Sequence, residues 1–196
     1  MQNKIQEQRM REYFIQAAKE IIRGEGMRAI SVRNVAEQAG YSYATLYNYF
    51  TNIKDLVFEC TVDFQEECLE QIDRDSKNLD MGFDRIKIRT KSFMKYFIQY
   101  PGIFTLFYIE NPSTIAKKHS TIDLINSFLD RVNQQEWDYF LETHYLNEAI
   151  IESKKAQLRY NVIGILLFYL NRQFPKTYND YLQITDNQLS MVLKID

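Results

Sequence analysis

The chain has 196 residues, 45% hydrophobic and 26% charged, an ordinary globular balance that allows one generous domain or a small domain joined to a larger one. Six Gly and three Pro leave few break points and favour long helices, while 14 Tyr and 13 Phe must fill or line interior volume. The net charge of -2 excludes a uniformly basic nucleic-acid binder, yet residues 1–55 hold 8 Lys or Arg against 6 Asp or Glu, so a small excess of positive charge is confined to the N-terminal part.

In chain order, Tyr13, Phe14, Ala17, Ala18, Ile21 and Ile22 recur at helical spacing and predict a first amphipathic helix, stopped by Gly24 and Gly26. Ser31 is an N-cap for a short second helix that must end by Gly40. Ser42 caps a third, Tyr43 to Phe50, and Asn52 a fourth that carries Leu56, Val57, Cys60, Phe64, Cys68 and Ile72. After a polar break at Asp75 to Asp80, a helix from Phe83 to Tyr100 stops at Pro101, and a short aromatic helix, Gly102 to Glu110, follows. Asn111-Pro112 is a turn, Ser120 or Thr121 caps one helix carrying Ile122 through Val132, and another carries Trp137, Phe140 and Leu141. A long helix within Asn147 to Phe174, apolar from Val162 to Leu170, reads as buried on most sides, and a last helix spans Asp186 to Lys194. No alternating strand pattern competes, so the expected class is all-α.

Cys60 and Cys68 share one helix face two turns apart, too far to pair with each other, and read as small core residues in a reducing compartment. His119 and His144 have no ligand at metal spacing, so no metal and no other cofactor is expected. Met1 to Arg11 lacks the apolar run of a signal peptide, and Val162 to Leu170 is far short of the roughly 20 residues of a membrane span. The expected location is the cytoplasm, with no membrane partner.

A helix-turn-helix needs a small residue where its two helices cross, a residue tolerant of positive φ four positions later, and an aliphatic anchor six beyond that. Ala36, Gly40 and Leu46 meet this spacing, with Val35, Ala39 and Tyr49 as supporting apolar contacts and caps at Ser31 and Ser42. The alternative, an ordinary helical hairpin, does not call for the whole set together. The stretch Ala17-Ala18 through Gly26, then Ser31-Val32-Arg33-Asn34-Val35-Ala36, Ala39-Gly40-Tyr41-Ser42 and Thr45-Leu46-Tyr47-Asn48-Tyr49-Phe50 resembles the N-terminal domain of the TetR/AcrR family.

The resemblance implies a DNA-binding domain at 1–51 and a helical effector-binding and dimerisation domain at 52–196. It implies that Tyr43, Ala44 and Thr45 enter the major groove after the cap Ser42, with Tyr43 and Asn48 reading base edges. Thr45, Tyr47 and Tyr49 would approach phosphates or pack beneath the helix, Tyr49 being as suited to the core. Ser31 and Arg33 would hold the DNA backbone at the second helix's N-terminus, Arg33 being equally readable as a solvated charge. Many relatives carry Lys three residues after the Phe, where this chain has Ile53. The cation is displaced to Lys54, about 100° around the helix, and the reading helix carries no Lys or Arg.

The partners implied are double-stranded operator DNA, a second copy of the chain and a small-molecule effector. An apolar seam for the homodimer is expected at Val162, Leu166 and Tyr169, with Leu189, Val192 and Leu193 of the last helix; a monomeric core helix is the other reading. Phe93, Phe97, Phe104, Phe107 and Tyr108, with Phe64, Phe128 and Trp137, either line an effector cavity or fill a core. The function expected is a dimeric repressor released from a palindromic operator by a hydrophobic or aromatic effector; a ligand-independent architectural protein or an activator is the alternative. Catalysis is not expected: Ser92-Phe93-Met94-Lys95 matches a serine-x-x-lysine pattern, but its partner motifs are absent.

Overall fold

Among the described residues, 2–110 and 119–194 of this computed structural model, there are eleven α-helices and no strand. They are α1 (Gln2–Glu25), α2 (Val32–Gln38), α3 (Tyr43–Tyr47), α4 (Ile53–Ser76), α5 (Phe83–Gln99), α6 (Pro101–Tyr108), α7 (His119–Asn126), α8 (Phe128–Val132), α9 (Gln134–Glu142), α10 (Glu148–Arg172) and α11 (Tyr178–Leu193). The all-helical expectation holds. The chain forms two compact units, residues 1–66 with 100–126 and residues 67–99 with 127–196. The turn expected at Asn111-Pro112 and the side chains of Ser120 and Thr121 lie outside the described residues.

In the first unit the caps act as their residue types dictate. Ser31 Oγ accepts from the Asn34 backbone N–H at 3.1 Å, Ser42 Oγ from Thr45 at 3.2 Å, and Asn52 Oδ1 from Lys54 and Asp55 at 2.9 and 3.2 Å. Phe14, Ala17, Ala18, Ile21 and Ile22 bury the inner face of α1 against Val35, Ala36, Leu46, Phe50, Leu56 and Val57, all at most 5% exposed. Ion pairs fix α1 to α4: Arg11 to Glu59 at 3.0 Å, and the largely buried Lys19 to Asp63 at 2.9 Å. Arg23 lies over the rings of Phe64 and Tyr100, 5.3 Å from each centroid. Helix α6 starts with Pro101 at its first turn, where the missing N–H costs nothing. Its next residue, Gly102, meets the end of α1 so closely that a Cβ would stand 2.0 Å from the Ile22 carbonyl oxygen.

In the second unit α5 buries Ile86, Thr90, Phe93, Met94 and Phe97. Arg89, 5% exposed, is held by three acceptors: the Val132 carbonyl at 2.8 Å, Asp73 at 2.8 Å and Ser76 Oγ at 3.0 Å. Helix α10 is capped by Asn147, whose Oδ1 accepts from Ile150, and α11 by Thr177, whose Oγ1 accepts from Asp180.

Five local expectations change. Tyr13, placed on the buried face of α1, is 55% exposed, because that face follows Phe14 and not its neighbour 100° away. Helix α3 ends at Tyr47 and not Phe50. The single helix expected through Ile122–Val132 breaks at Ser127, giving α7 and α8. Helix α11 begins at Tyr178, not Asp186: Tyr181, 2% exposed, packs on Tyr169 at 4.4 Å and stacks with Tyr178 at 5.8 Å, so burial overrides the modest helix propensity of that turn. Finally, Val162–Leu170 is not buried on most sides, since Leu167 and Phe168 are 37% and 55% exposed.

Candidate DNA-binding site

The turn between α2 and α3 has the geometry that the Ala36, Gly40, Leu46 spacing demands. Gly40 has φ 77°, a left-handed conformation costly for a residue with a Cβ. The Tyr41 N–H donates back to the Ala36 carbonyl at 2.8 Å, tying off the end of α2. Ala36 is 2% exposed and Leu46 fully buried, so the crossing and the anchor lie inside.

Outside the crossing, Arg33 at the start of α2 and Ser42, Tyr43, Ala44, Tyr47 and Asn48 along α3 are exposed, whereas Ser31, Thr45 and Lys54 are half-buried. Tyr43 and Tyr47, one turn apart, are 65% and 54% exposed, large for rings that nothing in the fold covers. The Ser42 and Thr45 hydroxyls lie 2.9 Å apart and share a hydrogen bond, so each retains capacity for a further one. Tyr49 takes the core alternative: it is half-buried, its ring packs on Phe14 at 5.9 Å, and its carbonyl accepts from Arg11. Sequence reasoning missed Tyr41. It is 39% exposed in the turn, with Tyr13 beside it at 6.4 Å, and the signal available was an aromatic residue at a turn position that needs none.

The sequence model for "Bacterial regulatory proteins, tetR family" matches residues 14–60, the span that holds this turn, both its helices and the start of α4. Residues 14–60 are thus similar to the N-terminal helix-turn-helix domain of the TetR family. That stretch is therefore a helix-turn-helix DNA-binding domain of the kind that TetR-family transcriptional regulators carry. No curated protein matches the sequence. Among solved structures, the chain is similar in fold to the transcriptional regulator FadR from Bacillus subtilis in complex with stearoyl-CoA, at TM-score 0.71 and 15% identity over 93% of this chain and 97% of that one. It is also similar to Thermus thermophilus FadR, a TetR-family repressor in complex with lauroyl-CoA, at TM-score 0.67 and 14% identity over 93% of each chain. RolR in complex with resorcinol has TM-score 0.69 and 13% identity over 97% of this chain and 90% of that one.

The eight aromatic residues expected either to line an effector cavity or to fill a core fall in two places. Phe64, Phe104, Phe107 and Tyr108 belong to the first unit, with Phe64 and Phe104 fully buried, Phe107 6% exposed and Tyr108 half-buried. Phe93, Phe97, Phe128 and Trp137 belong to the second and are at most 1% exposed. There Phe93 meets Phe97 edge-on at 4.8 Å and Phe128 at 5.5 Å. Two polar atoms of α9 and its cap, Trp137 Nε1 and Asn133 Oδ1, are buried with no hydrogen bond. The Glu136 carboxylate, wholly buried, lies 3.0 Å from Arg85 Nε and 3.8 Å from Arg89 Nε without completing a hydrogen bond to either.

Of the six residues expected at a dimer seam, Val162, Leu166, Leu189, Val192 and Leu193 are at most 7% exposed. Their side chains are spent on the chain's own fold, and only Tyr169 is half-buried. The open surface lies on the opposite stripe of α10, where Tyr160 is 74% and Phe168 55% exposed. These two, with Gly164, Phe174 and Ile184, edge a groove of about 360 Å³. No helix among the described residues is long and apolar enough to cross a membrane.

Proposed function

We propose that this regulator is a cytoplasmic, dimeric repressor that holds a near-palindromic operator and leaves it when a small aromatic or hydrophobic effector binds. Residues 1–51 are the reading domain and residues 52–196 the effector and dimer domain. The observation that carries the reading is the exposed, cation-free surface of α3: Tyr43, Ala44, Tyr47 and Asn48 present rings and an amide suited to base edges, methyl groups and phosphates. Tyr43 and Asn48 specify the sequence; Ser31, Arg33, Ser42, Thr45, Tyr47 and Lys54 hold the backbone. With no Lys or Arg on α3, one reading head binds weakly, and two heads on successive major grooves, about 34–36 Å or a multiple apart, supply the affinity.

The exposed Tyr160, Leu167 and Phe168 stripe of α10 is the surface a second copy covers, since a contiguous apolar patch of this kind is seldom left in water. The effector is taken by the second unit's aromatic group, Phe93, Phe97, Phe128 and Trp137. The unbonded Trp137 Nε1 and Asn133 Oδ1 offer one donor and one acceptor to a ligand with polar handles. Ligand-bound relatives of the same fold, RolR with resorcinol and FadR with acyl-CoA, make an effector of either size reasonable. Binding acts by favouring a conformer whose reading heads no longer match the groove spacing.

The test is gel-shift titration against the DNA flanking the chain's own gene. Tyr43→Ala is expected to lose base discrimination by about 1–3 kcal/mol at its contacted position, whereas Lys54→Ala weakens all sequences alike and lowers the salt slope by about one. Unchanged affinity and base preference in Tyr43→Ala overturns the assignment of α3 as the reader.

A further inference from the structure

The serine-x-x-lysine residues that the regulatory reading leaves unused lie together at the edge of a separate groove. Ser92 and Lys95 of α5, with Lys91, face Tyr178, Tyr181 and Thr185 of α11 across a cavity of about 370 Å³, within the size range of small-molecule sites. No residue of this groove belongs to the aromatic interior set.

Its polar groups are arranged and partly unspent. Ser92, 4% exposed, donates to Asp75 Oδ2 at 2.7 Å, which occupies that carboxylate on the groove's own wall. Lys91 pairs with Asp186, which also takes Lys87 at 3.2 Å, so two cations share one anion. Their proximity holds Asp186 below the ordinary carboxylate range. Lys95 is exposed and has no ion-pair partner among the described residues. Three lysines therefore stand against two carboxylates, leaving net positive charge. Thr185, 2% exposed, completes no hydrogen bond with its hydroxyl. It lies near enough to Tyr181 to favour the phenolate slightly, but burial dominates and pushes the Tyr181 phenol well above its usual range, so it remains a donor. The remaining wall is apolar and flat: Ile88, Ile98 and Leu182, beside the stacked Tyr178 and Tyr181 rings, 15° from parallel.

We infer that this α5–α11 groove is a second ligand site, one that takes a small aromatic carboxylate. The ring lies against Tyr178, Leu182 and Ile98, the carboxylate is met by Lys95 with Lys91, and the buried Thr185 hydroxyl gains a partner. A bare inorganic anion would leave the apolar wall unused, and a neutral aromatic would leave the excess positive charge unanswered. The bound molecule ties α5 to α11, the helix next to the open α10 stripe, independently of effector occupancy in the interior.

The full-length chain is titrated calorimetrically with 2-naphthoate and, as its uncharged match, 2-naphthamide. The expected result is saturable one-site binding of naphthoate, with naphthamide at least tenfold weaker. Lys95→Gln should weaken naphthoate about tenfold or more and abolish the preference for the charged ligand, since a charge-assisted hydrogen bond is lost. Leu182→Glu, at a 39% exposed position that tolerates a polar residue, should abolish binding by repulsion while circular dichroism stays unchanged. Absence of naphthoate binding, equal affinity for both ligands, or full affinity in both variants overturns the site. Because no DNA enters the measurement, its outcome is separate from that of the operator titration.

Discussion

Replacing Gly102 by Ala tests how tightly α6 is seated on α1. The added Cβ would lie 2.0 Å from the Ile22 carbonyl oxygen, 3.2 Å from its carbon and 3.4 Å from the Arg23 oxygen. Ordinary contact begins near 3.4 Å, so α6 must retreat by about 1.4 Å from backbone atoms that cannot rotate aside. The Ile22 oxygen also accepts from the Gly26 N–H at 3.1 Å, which holds it in place. Overpacking of this kind costs about 1–3 kcal/mol, the upper end applying to a clash with main chain, and Ala returns up to about 1 kcal/mol of helix propensity. The net loss is about 2 kcal/mol, or a fall in Tm of about 4–8 °C for a chain of this size. Gly24→Ala is the matched control: it sits in α1 two residues beyond Ile22, with nothing within 4 Å of the new Cβ. It should raise stability by about 0.5–1 kcal/mol. Thermal unfolding of both variants at one protein concentration decides the matter. Equal or higher Tm for Gly102→Ala would refute a rigid α1–α6 contact.

Phe168→Glu places a charge on the open stripe of α10 and should leave a folded monomer with reduced operator affinity. Leu166→Glu, two residues earlier but fully buried, should instead unfold the chain; light scattering with circular dichroism separates the two, and a dimeric Phe168→Glu protein removes α10 from the interface. Cys60 and Cys68, both fully buried with burial raising their thiol pKa values, should react with a thiol reagent only after unfolding. Prompt modification of either in the native protein would show that the core of α4 opens.

The reading head was legible because its constraints are local. Ser31, Gly40, Ser42 and Asn52 each do what their side chains dictate within a few residues, whatever the rest of the chain does. The helical core was legible for the same reason, through the spacing of Phe14, Ala17, Ala18 and Ile21. What failed depended on distant partners. Tyr178 and Tyr181 look like poor helix starters until Tyr169 on another helix packs on Tyr181. The apolar run of α10 shows which residues are greasy but not which side its own fold consumes, so Leu166 and Phe168 read alike in the sequence and differ completely in exposure. The α5–α11 groove was visible only on its α5 side, as the Ser92-x-x-Lys95 spacing, because Thr185 lies 90 positions beyond Lys95 and no motif joins the two.

The absence of cations from α3 has a consequence for how the protein searches a genome. Every stretch of duplex offers phosphate, and the fraction of a regulator idling on irrelevant DNA grows with the number of phosphates its reading surface neutralises. If α3 is the reader proposed above, a head tipped with tyrosine and asparagine departs quickly from such sequence, and what remains of its residence time is concentrated where the bases match. Fewer molecules per cell then keep one operator occupied, and a shift in cellular salt disturbs that occupancy less than it would for a lysine-rich head.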